Sequence, residues 1–188
     1  ATTSGSTGDS TAILAALLRA APFEATALVN VVDAQAVRQA IAGGVGATVT
    51  VQVGGSIAPQ SFRPVTLTAH VKTISDGTFA FKGPGMRGVV HHMGRAVVLV
   101  AGGIHLVVME RGVSQWDPQL YRSVGLEPGD ARMVQVKSPM AFRAAYEGLY
   151  DEVIVVAAPG AASPDLVSLG WKRLPRPIYP LDPETSWP

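Results

Sequence analysis

A loop rich in glycine and hydroxyl groups lies near the start of the chain. Residues 3–11 are TSGSTGDST, and the apolar run AILAALLRAA follows at once. Such a loop can direct free backbone N–H groups and the positive end of a helix dipole at an anion. The phosphate-binding P-loop places a Lys after its last Gly, whereas Asp9 follows Gly8 here, and a carboxylate would repel a phosphate. Two interpretations stay open: a helix start capped by Asp9 or Ser10, and a ligand-binding loop.

A second polar pair, Lys137-Ser138, ends the predicted strand MVQVK. Ligands gather at the carboxyl ends of strands in α/β sheets, so Lys137 could hold a carboxylate or a phosphate there. Ser138 could cap the next helix, with Pro139 at its first position. The alternative is a solvated Lys and an ordinary cap. A Ser–Lys nucleophilic dyad is disfavoured, because adjacent residues rarely bring the amine onto the hydroxyl.

Two arginines are further candidates for binding a carboxylate. Arg87 lies in the loop GPGMRG, and Arg143 lies in the predicted helix MAFRAAYEGLY. Either side chain could equally lie on the surface, and we favour the surface for Arg87.

The four histidines do not predict a metal centre. His91 and His92 are adjacent, so on a strand their side chains point to opposite faces. His70 and His105 stand alone on strand patterns, and neither HExxH nor HxH occurs. A catalytic zinc takes three protein ligands and keeps a fourth position open. We therefore expect no complete metal site in this chain.

Helices and strands alternate towards both ends of the chain. Apolar spacing predicts a helix over 11–21, and Asp33 is predicted to cap a second helix that Gly43-Gly44 closes. A short helix is predicted after Asp117-Pro118, and another over MAFRAAYEGLY. The predicted strands are 25–33, 47–55, 65–74, 95–101, 104–109, 133–137 and 152–160.

The middle of the chain is predicted to form hairpins. Ser75-Asp76-Gly77 should turn the strand 65–74 back into TFAFKG, and strands 95–101 and 104–109 should pair. The proline-rich tail WKRLPRPIYPLDPETSWP is expected to extend over the surface. These patterns predict one α/β domain over residues 1–188, with a mixed β-sheet, flanking helices and β-hairpins.

Composition excludes several classes of protein. Fifteen basic and fourteen acidic residues give a net charge of +1, so there is no electrostatic footprint for nucleic acid. No apolar run approaches the ~18 residues of a membrane helix. Hydrophobic residues make up 47% and charged ones 15%, which indicates a globular chain whose apolar surface meets another domain or subunit, a homo-oligomer included.

The absence of cysteine removes disulfides, thiolate metal ligands and thiol nucleophiles together. It is compatible with a cytoplasmic protein, which is the location we expect. No signal peptide opens the chain. The chain begins in mid-loop without an initiator Met, which suggests a fragment or a processed product.

Taken together, these segments resemble the C-terminal domain of the MlrC family, the microcystin-degradation proteins classed as zinc metallopeptidases. The resemblance spans nearly the whole chain, and seven segments occur in the family's order. They are GDST (8–11), GVGATVTVQVGG (44–55), SDGTFAFKGPG (75–85), WDPQLYRSVGLEP (116–128), VQVKSPMAFRAAY (134–146), VIVVAAPGAASPDL (153–166) and LPRPIYPLD (174–182). The family's glycine-rich segment is usually of the form DNPGGGxPGDST; here TTSGST replaces the DNP and the middle glycines, whereas Gly8, Asp9, Ser10 and Thr11 match.

The resemblance implies a two-domain hydrolase that cleaves a peptide or related amide bond. Its zinc ligands are expected in an N-terminal domain that this chain lacks, so the isolated chain would be catalytically incomplete. The present domain would close over that site and contact a peptide-like substrate, and its opening loop would face the domain junction. The expected substrate-binding residues are Gly8, Asp9, Ser10, Lys137, Ser138 and Arg143, with no catalytic or metal-binding residue in this chain. The alternative is a non-catalytic module for ligand binding or dimerisation.

Overall fold

The structure, a computed structural model, describes residues 5–20, 25–138, 140–159 and 165–186 and is built around a six-stranded mixed sheet. The predicted α/β fold with a mixed sheet is confirmed. The helices are α1 (Ala12–Arg19), α2 (Ala34–Gly43), α3 (Gln119–Arg122) and α4 (Phe142–Ala145). The strands are β1 (Ala27–Val32), β2 (Thr48–Val53), β3 (Val65–Ser75), β4 (Thr78–Ala80), β5 (Val90–His92), β6 (Ala96–Ala101), β7 (Ile104–Met109) and β8 (Met133–Val134).

The order of strands in the main sheet is β2-β3-β6-β7-β1-β8. Strand β1 runs parallel to both β7 and β8, whereas β2, β3, β6 and β7 pair in antiparallel fashion. The carboxyl ends of β7, β1 and β8 therefore meet at one edge of the sheet, which we call the carboxyl edge. This is the side on which α/β sheets bind ligands.

Two apolar layers cover the faces of the sheet. All six residues of β1 are buried, as expected of a central parallel strand with both faces covered. One layer includes α1 and α2 and packs on alternate β1 residues such as Val29 and Val31. The other includes Phe79 and Phe81 and the α3 residues Leu120 and Tyr121. In the described part of the chain, no helix is both long and apolar enough to cross a membrane.

The turn from β1 into α2 follows the sequence prediction. The carboxylate of Asp33 accepts hydrogen bonds from the amides of Gln35 and Ala36, both at 3.0 Å. Gly44 ends the helix with a φ of 82°, a conformation that glycine adopts without strain. The hairpin of β6 and β7 also forms as predicted.

The predicted hairpin between 65–74 and TFAFKG is wrong. Strand β3 stays in the main sheet and pairs with β6 as far as Ser75, whereas β4 pairs with β5 in a separate sheet. Gly77, with a φ of 71°, turns the chain out of the main sheet, and its carbonyl accepts a hydrogen bond from the amide of Met93 at 2.8 Å. A Cβ at Gly77 would lie 1.8 Å from the carbonyl oxygen of Gly94, so only glycine fits this close approach.

Three predicted elements are shorter than expected or do not form. The strand predicted at 133–137 ends at Val134. After it, the side-chain oxygen of Gln135, in place of a backbone carbonyl, accepts the hydrogen bond from the amide of Asn30 at 3.0 Å. The helix predicted from MAFRAAYEGLY is limited to α4, and Gly148 follows with a φ of 77°. Residues 152–159 form no strand, and residue 160 lies outside the described residues.

Candidate functional site

The opening loop, residues 5–11, is fixed at the carboxyl edge by the side chain of Asp9. This carboxylate is fully buried, and one of its oxygens accepts hydrogen bonds from the amides of Ile57 and Ala58, both at 2.8 Å. Its other oxygen accepts from the hydroxyl of Thr7. Burial acts to raise the pKa of Asp9, but the hydrogen bonds from Thr7, Ala58 and Ile57 outweigh it and lower the pKa. Asp9 is therefore a buried anion that joins the opening loop to residues 57–58.

Close backbone contacts hold the same loop from a second side. The amide of Gly55 donates to the carbonyl of Asp9 at 3.0 Å, and the hydroxyl of Thr11 donates to the carbonyl of Arg63 at 2.8 Å. A Cβ at Gly54, whose φ is +75°, would lie 2.3 Å from Cγ2 of Thr11 and 2.7 Å from the carbonyl oxygen of Asp9. Glycine at position 54 is therefore required for the loop to pack here.

The predicted cap of α1 by Asp9 or Ser10 is wrong. Thr11 occupies the N-cap position, and its side chain makes no capping hydrogen bond. Asp9 is turned away from the helix towards the amides of residues 57–58. Ser10 is partly buried.

Lys137 connects the end of β8 to the opening loop. Its ammonium donates a hydrogen bond to the carbonyl of Gly8 at 2.8 Å, and this carbonyl also accepts from the amide of Val32 at 3.1 Å. Burial lowers the pKa of Lys137 to about 7, and the negative charge of Asp9 opposes that shift only in part. Within the described residues the Gly8 carbonyl is the one acceptor of this amine, so its other N–H groups have no acceptor there.

A buried polar network fixes the chain that leads to Lys137. The hydroxyl of Tyr121 donates to the carbonyl of Gln135 at 2.7 Å and accepts from Nδ2 of Asn30 at 2.8 Å. Burial raises the pKa of Tyr121, so the phenol stays protonated. These hydrogen bonds hold Gln135 against β1 and α3, and Gln135 precedes Lys137 by two positions.

Several buried polar atoms near the carboxyl edge lack a partner within the described part of the chain. They are Oγ of Ser138, Oδ1 of Asn30 and both amide atoms of Gln115, a side chain that is 2% exposed. Ser138 follows β8, and Gln115 lies in the segment that follows β7. Buried polar groups are usually satisfied, so each of these unpartnered atoms needs an explanation, such as contact with a ligand or a neighbouring domain. No motif in the sequence pointed to Gln115.

The arginines lie apart from these contacts. Arg143 is exposed on α4, and its guanidinium carbon lies 5.5 Å from the ring centroid of Phe142. In the described residues no hydrogen bond joins Arg143 to the opening loop or to Lys137. Arg87 is exposed, as favoured from the sequence.

The histidines are separated by the fold. The ring of His91 stacks on Phe79 and Phe81, with centroid distances of 5.6 Å and 4.2 Å, whereas the adjacent His92 is exposed. Their opposite orientation confirms the prediction. His105 lies on β7, where burial lowers its pKa. Across residues 5–20, 25–138, 140–159 and 165–186, no group of three or more His, Asp or Glu side chains could hold a metal ion, so these residues do not fit a metal centre.

Comparison with known proteins identifies the family. The sequence model described as the MlrC C-terminus matches residues 1–173. This chain belongs to the MlrC C-terminal domain family. The resemblance inferred from the seven sequence segments is thereby confirmed.

Two relatives place this MlrC C-terminal domain in longer proteins. Microcystinase C of Sphingomonas sp is 25% identical over 179 residues, which are 95% of this chain and 34% of that protein. A crystal structure of a "Putative metallopeptidase" from Mesorhizobium sp. BNC1 superposes with a TM-score of 0.84 at 28% identity, covering 97% of this chain and 36% of that one. The chain thus spans about a third of the length of the relatives it matches.

Proposed function

We propose that this MlrC C-terminal domain binds the substrate of a metal-dependent hydrolase that cleaves a peptide or related amide bond. The printed names of the two relatives compared above, "Microcystinase C" and "Putative metallopeptidase", support this class of reaction. The observation that carries the role of the domain itself is the geometry of Lys137. Among the described residues, this partly buried amine at the carboxyl edge donates one hydrogen bond, to Gly8, which leaves further N–H groups for an anionic group of the substrate.

The lowered pKa of Lys137 suits reversible binding of an anion. Without a ligand, burial brings this pKa to about 7, so the amine is partly neutral at physiological pH. An approaching carboxylate would favour the protonated form and raise the pKa again. The resulting charge-assisted hydrogen bond is stronger than a neutral one. The hydroxyl of Ser138, which is buried without a partner in the described residues, would supply a second donor beside it.

Asp9 takes a positioning role in this proposal. Both of its oxygens accept hydrogen bonds from protein donors, and through them the carboxylate holds the opening loop. The loop in turn presents the Gly8 carbonyl, which orients the ammonium of Lys137. Ser10 and Arg143 would form outer contacts, because Ser10 is only partly buried and Arg143 is exposed.

The proposed zinc is assigned to the part of the protein that this chain does not span, because the described residues do not offer a ligand set. A zinc ion supplies Lewis-acid chemistry and a bound water of lowered pKa. The residues of this domain contribute orientation: they hold the substrate's anionic group while its amide bond lies at the site in the other domain.

The test is the effect of Lys137→Met on kcat/KM of the full-length protein with a peptide substrate. Methionine keeps the packing of the aliphatic stem and removes the charge. Loss of a charge-assisted hydrogen bond should lower kcat/KM by roughly ten- to a hundredfold, corresponding to ~1.5–3 kcal/mol. The matched control is Lys72→Met, at an exposed position of β3, which should leave kcat/KM unchanged. Equal kcat/KM in Lys137→Met and the parent protein would refute the proposal.

A further inference from the structure

The described residues of the carboxyl tail, 147–159 and 165–186, include no buried side chain. Within the described residues, every buried side chain precedes residue 147, and the last of them is Tyr146. The tail is nevertheless rich in large apolar side chains that are exposed. These are Tyr150, Ile154, Val155, Val156, Leu166, Val167, Trp171, Leu174 and Tyr179. A run of exposed apolar side chains is a candidate for an interface.

The most exposed part of the tail has the composition of a β-strand. Residues 153–156 are Val-Ile-Val-Val, four consecutive β-branched residues of the kind that strands favour. Ile154 is 76% exposed and Val155 is 86% exposed. The backbone groups of these four residues make no hydrogen bond with any described residue. The segment therefore has both the apolar side chains and the free N–H and C=O groups of a strand that lacks a partner.

We propose that residues 153–156 add as a strand to an open sheet edge in the remainder of the full-length polypeptide. The relatives are about three times as long as this chain, and the proposal takes a comparable remainder to accompany this domain and to supply the partner surface. Main-chain pairing would satisfy alternate backbone N–H and C=O groups of the segment, and an apolar surface on the partner would cover the side chains. The inference shares with the proposed function only the premise that further polypeptide accompanies this domain.

Hydrogen exchange measured by mass spectrometry on the full-length protein tests this docking. In an added strand, alternate N–H groups point to the partner strand, so every second amide of residues 153–156 should exchange at least about tenfold more slowly than an open chain. Fast exchange at all four amides would overturn the proposal. Uniform slowing without alternation would also overturn it, because that indicates apolar packing without strand pairing.

The variant Val155→Asp should remove the protection of the whole segment. Its matched control is Val45→Asp, at an apolar residue that is 64% exposed in the turn before β2, and it should leave the protection intact. Exchange is measured at two protein concentrations. Protection that disappears on dilution would mean pairing with a second copy and would overturn the intramolecular assignment. Lys137→Met should leave the protection unchanged, so this docking and the proposed substrate contact can fail independently.

Discussion

Replacement of Asp9 by Ala should destabilise the opening loop more than any surface change of the same size. The carboxylate accepts hydrogen bonds from the amides of Ile57 and Ala58 and from the hydroxyl of Thr7. Alanine would leave the buried amide of Ala58 without a partner, whereas the amide of the exposed Ile57 could turn to water. An unsatisfied buried donor costs about 1–3 kcal/mol, and each hydrogen bond to a charged group contributes about 1.5–3 kcal/mol. We therefore expect Asp9→Ala to lower the free energy of unfolding by about 3 kcal/mol.

The assay is urea unfolding of the full-length protein, with hydrogen exchange to locate the effect. Exchange of the amides of Ile57 and Ala58 should become faster, because they lose their acceptor. Asp130→Asn, at an exposed carboxyl group, is the control and should change the free energy of unfolding by less than about 0.5 kcal/mol. If Asp9→Ala unfolded at the same urea concentration as the parent, the hydrogen bonds from residues 57–58 to Asp9 would not contribute to stability as argued.

The pH dependence gives a second check on Asp9. Its pKa is lowered in the folded protein, so the folded state binds fewer protons than the unfolded chain at acid pH. The stabilisation is therefore complete above the unfolded pKa of about 3.9 and is lost as the pH falls through the lower folded pKa. Asp9→Asn should therefore reduce the slope of the free energy of unfolding against pH in the acid range. An unchanged acid slope would contradict the role given to this carboxylate.

Three further predictions concern Lys137, Gly54 and the zinc content of the chain. The pKa of Lys137 is lowered to about 7 in the folded protein, so the free energy of unfolding should rise with pH between about 7 and the unfolded pKa of about 10.4. Lys137→Met should abolish that rise, and parallel curves of unfolding free energy against pH for variant and parent would contradict the prediction. Gly54→Ala places a Cβ 2.3 Å from Cγ2 of Thr11, so this variant should have a lower melting temperature than the parent. The control is Gly85→Ala, where a Cβ meets nothing within 4 Å. Equal melting temperatures of the two variants would show that the opening loop adapts to the added methyl group. Elemental analysis of the chelator-washed 188-residue chain should find no stoichiometric zinc, and one retained ion per chain would move the histidines back into consideration.

The parts of the fold that follow from local sequence could be predicted. The largely apolar run of β1, the cap at Asp33 and the glycine that ends α2 each act within a few residues of the chain. The position of Lys137 at the carboxyl edge followed from the rule that ligand groups cluster at strand ends. Its contact with the Gly8 carbonyl could not be predicted, because it joins residues 129 positions apart.

The role of Asp9 could not be read from its neighbours. An acidic residue followed by Ser and Thr before an apolar run is also the pattern of a helix cap, and only the fold brings the amides of Ile57 and Ala58 to it. Residues 152–160, which include 153–156, were predicted as a strand because composition reports the tendency to pair, whereas pairing itself requires a partner. In the described structure that segment has none.

The most direct test of the central claim compares two peptide substrates that differ only in their terminal group. One ends in a free carboxylate and the other in a carboxamide, and kcat/KM of the full-length protein is measured for both with the parent and with Lys137→Met. If Lys137 holds the carboxylate, the parent should prefer the free acid by roughly ten- to a hundredfold, and the variant should lose that preference while its kcat/KM for the amide stays unchanged. A preference that persists undiminished in Lys137→Met would contradict the account.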